Sequence, residues 1–98
     1  MRAQEAAELL RANASLLRKY SVHSVFLFGS SVRNETHPGS DIDVIVEFDT
    51  GARVGLFEFI RLRDELSQVL GGRVDMVTPD AIHPALKESI LQEAVRVA

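Results

Sequence analysis

The sequence contains no cysteine. It can form no disulfide, bind no zinc through thiolates and offer no cysteine nucleophile. It also lacks a basic surplus: 11 Lys and Arg stand against 14 Asp and Glu, for a net charge of −3. Nucleic-acid-binding domains usually carry the opposite balance, which counts against a nucleic-acid partner while leaving room for local basic patches. No apolar run approaches the roughly 18 residues of a membrane span. The opening stretch, MRAQEAAELLRANASLLRK, is charged throughout and has no apolar core of a secretion signal. A cytoplasmic address is therefore expected. The chain has 98 residues, 46% of them hydrophobic. That suits a single folded domain over residues 1–98 and argues against disorder.

Hydrophobic periodicity organises what is there. Leu9, Leu10, Leu16 and Leu17 recur at helical spacing, which predicts a helix over 4–19. SVHSVFLF (21–28) is rich in β-branched and aromatic residues and reads as a buried strand that stops at Gly29. ETHPGS (35–40) is loop chemistry. DIDVIVEF (41–48) alternates: Ile42, Val44, Val46 and Phe48 fall on one face, and Asp41, Asp43, Ile45 and Glu47 on the other. A second helix is expected over 55–70, with Leu56, Phe59, Ile60, Leu66, Val69 and Leu70 facing the core and Gly71-Gly72 ending it. RVDMVT (73–78) is a third strand. Pro84 can open a last helix that packs through Leu86, Ile90, Leu91, Ala94 and Val95. The order α-β-β-α-β-α predicts an α+β fold, a small mixed sheet with helices packed on one face.

Two acids at the mouth of a strand need explaining. Asp41 and Asp43 project to the same face, where their charges repel, and Asp is disfavoured in strands. A divalent cation would offset both costs. Magnesium, held by one or two carboxylates plus substrate phosphates, suits such oxygen donors. Taken alone, the spacing fits two solvated acids equally well. Gly29-Ser30 adds a second feature. A glycine turn after a buried strand can present backbone N–H groups to phosphate, though a simple turn capped by serine reads the same. Asp75 is a third, the single acid within VDMV. If its strand lies beside 41–48, it can join the pair; on an edge strand it would merely be solvated. Of the histidines, His23 reads as structural, and His37 lies in the loop between Gly-Ser and the acids. Phe59 reads as core and Phe57 as exposed surface suited to a partner.

Together, Gly29-Ser30, Asp41-Ile42-Asp43 and Asp75 resemble the signature of the DNA polymerase beta-type nucleotidyltransferase superfamily. FLFGSSVRNETHPGSDIDVIVEF is similar in particular to the minimal nucleotidyltransferase group, many of whose members are antitoxins of HEPN/MNT toxin–antitoxin pairs. VDMVTPDAIHPALKESILQEAV resembles the group's third strand and closing helix. Group members commonly have Ala-Arg-Gly after the Gly-Ser-x; here Val32-Arg33-Asn34 stands in its place and keeps only the arginine.

The resemblance implies the nucleotidyltransferase fold and a reaction. AMP would pass from ATP to a hydroxyl, with pyrophosphate leaving. Asp41, Asp43 and Asp75 would be the catalytic carboxylates and the ligands of two Mg2+ ions. Gly29, Ser30 and Arg33 would hold phosphate, with Arg33 reading equally well as a surface arginine. The implied acceptor is a tyrosine of a cognate HEPN toxin, in a hetero-oligomer of the type VII toxin–antitoxin kind. Two other readings stay open: a protein of this fold that neutralises its partner by binding alone, and transfer to a small molecule.

Overall fold

Asn13 divides the first helical stretch. The computed structural model describes residues 2–29 and 41–98, and in it α1 (Ala3–Ala12) and α2 (Ala14–Lys19) replace the single helix expected over 4–19. The Asn13 side-chain amide donates to the Leu9 carbonyl at 2.8 Å. Such a local bond competes with the helical ladder, which is why Asn weakens helix interiors. Ala6 and Leu10 are fully buried on the inner face of α1.

Among the described residues four strands follow: β1 (Val22–Leu27), β2 (Ile42–Phe48), β3 (Val74–Val77) and β4 (Val95–Arg96), in the sheet order β3-β2-β1-β4. β1 runs antiparallel to β2 and to β4, whereas β2 and β3 are parallel. A parallel pair needs a crossover. Here it is α3 (Leu56–Leu70), whose buried Leu62, Leu66 and Leu70 join Ile42, Val44, Val46, Val74 and Met76 in the core. The expected α+β architecture with a small mixed sheet is the one observed. The alternation in β2 also holds, with its core half facing α3.

The C-terminal half departs from expectation in three ways. Leu56, expected on the core stripe, is 70% exposed, because the buried stripe of α3 starts one turn later at Phe59 and Leu62. α4 (Pro84–Glu93) buries none of its residues, and Leu86 and Leu91 are exposed rather than packed. The chain then leaves the helix before Ala94, and Val95 belongs to β4. The cause lies in β1. Its outer edge carries backbone groups that need partners, and the tail supplies them. Val25 N–H donates to the Ala98 carbonyl at 2.9 Å, Val97 N–H donates to the Val25 carbonyl at 2.8 Å, and Val97 is buried. Among the described residues no helix is long and apolar enough to cross a membrane.

Ser67 fixes the start of β3. Gly71, at φ 75°, ends α3 in the left-handed region that glycine tolerates. The Gly71 and Gly72 N–H groups both donate to the Ser67 carbonyl. The Ser67 hydroxyl donates to the Arg63 carbonyl at 2.9 Å and accepts from the Val74 N–H at 3.1 Å. Ser67→Ala removes the bond to Val74 and is expected to lower stability by about 1 kcal/mol. Urea unfolding measures this, and an unchanged midpoint would mean the bond adds nothing.

Candidate active site

Strand parity decides which acids can meet. Ile42, Val44, Val74 and Met76 point into the core beneath α3. Successive strand residues alternate faces, so Asp43 and Asp75 point to the opposite side of the sheet. The parallel register then makes them lateral neighbours: Asp43 pairs with Asp75, between Ile42–Val74 and Val44–Met76. Neighbouring strands lie about 4.8 Å apart, so two carboxylates rise side by side from adjacent strands. Asp75 is exposed and Asp43 half-buried. Glu47 is on the same face of β2 but further along. It accepts a bond from the buried Ser24 hydroxyl at 3.1 Å.

The end of β1 closes against this pair. Phe28 N–H donates to the Asp43 carbonyl at 3.1 Å. Gly29 follows at φ 64°, and a Cβ placed on it would lie 2.9 Å from Asp43 Oδ2. Both the backbone angle and the space call for glycine. The backbone at Gly29 therefore passes directly over the Asp43 carboxylate. Ser30, Arg33 and His37, and the departures at Val32 and Asn34, lie outside the described residues.

Asp41 sits at the mouth of β2. Its Oδ1 is 3.8 Å from Arg73 Nη1. Asp41 and Asp75 line the same open cavity, of about 510 Å³, together with Arg73 and with Arg63, Asp64 and Ser67 of α3. Arg73 is a site residue that sequence reasoning did not single out. Its signal is visible only once β2 and β3 are known to be parallel, because it precedes Asp75 by the spacing at which Asp41 precedes Asp43.

Three carboxylates on two adjacent strand ends are the hard oxygen donors that magnesium takes. They fit it in kind and in strand placement. Among the described residues, however, no three acidic or imidazole groups are drawn together closely enough to enclose a metal ion, and Asp41 lies nearest Arg73 instead. His23 is remote from the acids. It is exposed and 3.6 Å from Asp49 at the other end of the β1–β2 pair. His83 caps α4, its Nδ1 accepting from the Ala85 N–H at 3.1 Å.

The profile of the nucleotidyltransferase domain matches residues 9–97 of the chain. The chain belongs to the nucleotidyltransferase domain family. This nucleotidyltransferase is 46% identical over 90 residues to a Methanocaldococcus jannaschii protein named as a candidate protein adenylyltransferase, covering 92% of this chain and 95% of that one. Its structure resembles that of a candidate minimal nucleotidyltransferase at a TM-score of 0.71 and 36% identity, over 91% of this chain and 93% of the other. It also shares its fold with one chain of a complex between a tri-AMPylated Shewanella oneidensis HEPN toxin and an MNT antitoxin. There the TM-score is 0.64 at 19% identity, over 95% of this chain and 71% of the matched one.

Proposed function

We propose that residues 1–98 form one magnesium-dependent nucleotidyltransferase domain that moves AMP from ATP to a tyrosine hydroxyl of a partner HEPN toxin. The protein would be the antitoxin of that pair, acting in the cytoplasm. The observation that carries this reading is the parallel register that sets Asp43 beside Asp75, with Asp41 at the strand mouth. Asp41, Asp43 and Asp75 would hold magnesium. Held by these carboxylates, magnesium would supply charge neutralisation of the triphosphate. The chain's own residues do the rest. The Gly29 backbone and Ser30 cradle the β- and γ-phosphates, with Arg33 adding positive charge. The acceptor oxygen forms a bond to the α-phosphorus as the bond to pyrophosphate breaks. The hydroxyl proton passes to Asp75, the more exposed member of the strand pair.

Several features support a protein acceptor. The net charge of −3 disfavours nucleic acid. The one tyrosine of the chain, Tyr20, precedes β1, whereas Gly29 and Asp43 lie at the far end of that strand. The Glu65 carboxylate near its phenol, with partial desolvation, raises its pKa above the ordinary 10.0. A tyrosine on another chain is therefore the better acceptor. The protein adenylyltransferase name of the archaeal relative and the AMPylated toxin in the Shewanella complex support the same choice.

Neutralisation by binding alone is the rival reading. The exposure of Leu56 and Phe57 at the start of α3, 70% and 77%, favours a contact surface. The deciding experiment combines the protein, labelled ATP, magnesium and its HEPN toxin partner. Label should appear on the toxin and vanish with the Asp41→Ala/Asp43→Ala double variant. Full neutralisation by that variant, with no label transferred by the wild type, would leave binding as the function.

A further inference from the structure

The sheet sets four charged residues at the corners of a square. Asp43 pairs with Asp75, and Ile42 with Val74. The Ile42 N–H donates to the Arg73 carbonyl at 2.7 Å, so the register continues one step toward the strand mouths and places Arg73 beside Asp41. Three corners are acids and the fourth is a base. The Arg73 guanidinium lies 3.8 Å from Asp41 Oδ1, with its side chain 82% exposed. An exposed pair at that distance adds almost nothing to stability. Its place in the square points to function instead.

We propose that Arg73 is a placeholder cation of the metal site. It partners Asp41 while no divalent ion is bound, and it must leave Asp41 when one binds. The inference rests on the reading of Asp41, Asp43 and Asp75 as metal ligands. Its physical basis is simple. Arg stays protonated at every accessible pH, so its charge cannot be titrated away. A fixed positive charge within a few ångströms of a divalent cation opposes binding, and salt and solvent screen this only in part. The backbone bond from Ile42 keeps the root of the side chain beside Asp41, while the exposed guanidinium can swing clear. Arg73 thus positions Asp41 and sets how tightly the ion is held.

Mn2+ is the probe, and the electron paramagnetic resonance signal of free Mn2+ gives its affinity for the full chain without nucleotide. Arg73→Gln is expected to bind Mn2+ about 3- to 10-fold more tightly than wild type. Arg73→Lys keeps the charge and should lie closer to wild type. Arg63 lines the same cavity but pairs with Asp64 of its own helix at 3.3 Å. Arg63→Gln should therefore stay within about twofold of wild type, since that pair lies on α3 and not on the strand ends. The inference is overturned if Arg73→Gln stays within that margin too, or if Arg63→Gln shifts the affinity as much. If neither wild type nor Arg73→Gln binds Mn2+, the inference is overturned, while the metal reading, which counts substrate phosphates among the ligands, is judged by whether labelled AMP transfer requires magnesium. If the Asp41→Ala/Asp43→Ala variant binds Mn2+ as well as wild type, the metal reading itself fails and the inference with it. Thermal melting of each variant confirms that the fold is retained.

Discussion

Asp75→Asn is expected to lower AMP transfer by about 1000-fold, because in the proposed mechanism it would remove both the proton acceptor and a metal ligand. Stability should change by no more than about 0.5 kcal/mol, since exposed substitutions on an edge strand seldom cost more. The size and shape of the side chain are retained, so loss of activity would report on charge rather than packing. Glu47→Gln is the matched control. Glu47 shares the sheet face of Asp43 and Asp75, but its partner is Ser24 and it lies away from the strand mouth. If removing any acid from this face were enough, both variants would be inactive. The strand-mouth reading predicts that Glu47→Gln keeps transfer within about fivefold of wild type, the few tenths to one kcal/mol of a single exposed charge. Labelled ATP and the partner toxin provide the rate, and urea unfolding the stability. Transfer by Asp75→Asn within tenfold of wild type would remove Asp75 from the mechanism.

The contrast between Asp75 and Arg73 shows what a single sequence can reveal. Asp75 stands out because it interrupts an apolar strand, a signal local to four residues. Arg73 is an ordinary charge in a loop after Gly71-Gly72, and nothing local distinguishes it. Its significance depends on strand pairing, which is a non-local property. Tertiary demand also decided the elements that periodicity misplaced. Ala94 and Val95 continue the helical spacing of Ile90 and Leu91, yet β1 needs an edge partner, and Val95–Arg96 leave the helix to provide it. Leu86 and Leu91 have the spacing of a buried stripe, but α4 remains exposed. Asn13 is the reverse case: a local side-chain bond overrode a periodic pattern that runs straight through it. The alternation of β2 survived intact, because one of its faces is covered by the α3 core.

That covered face also explains how the acids can be tolerated. Val44 and Val46 are fully buried under the helices, and a one-residue slip of β2 would drive Asp43 into that core. Burying an unpaired carboxylate costs far more than the repulsion between solvated neighbours. The core therefore fixes the register, and the register in turn fixes which charges stand together at the strand mouths. The acids themselves stand outside that core, although Ile45 on the same face of β2 is fully buried. Substitutions of the exposed Asp75 and Glu47 can then be read as changes in chemistry with little confounding by folding.

Gly29 is the exception, because there the backbone and the site meet. Gly29→Val is expected to lower stability by about 1–2 kcal/mol and AMP transfer by about 100-fold. The stability loss follows from the φ of 64°, a region in which a β-branched side chain is strained. The activity loss follows from the space. The first side-chain atom would lie 2.9 Å from Asp43 Oδ2, so either the carboxylate or the end of β1 must move. A displacement approaching an ångström at a reacting centre is enough for a loss of that size. Gly29→Ala separates the two effects. It carries the same Cβ, and so the same collision with Asp43, but less strain than valine. If the collision controls activity, both variants should lose transfer to a similar degree, while urea unfolding shows alanine to be the more stable. If activity instead follows stability, with alanine close to wild type in both, then the close approach of Gly29 to Asp43 has no catalytic role.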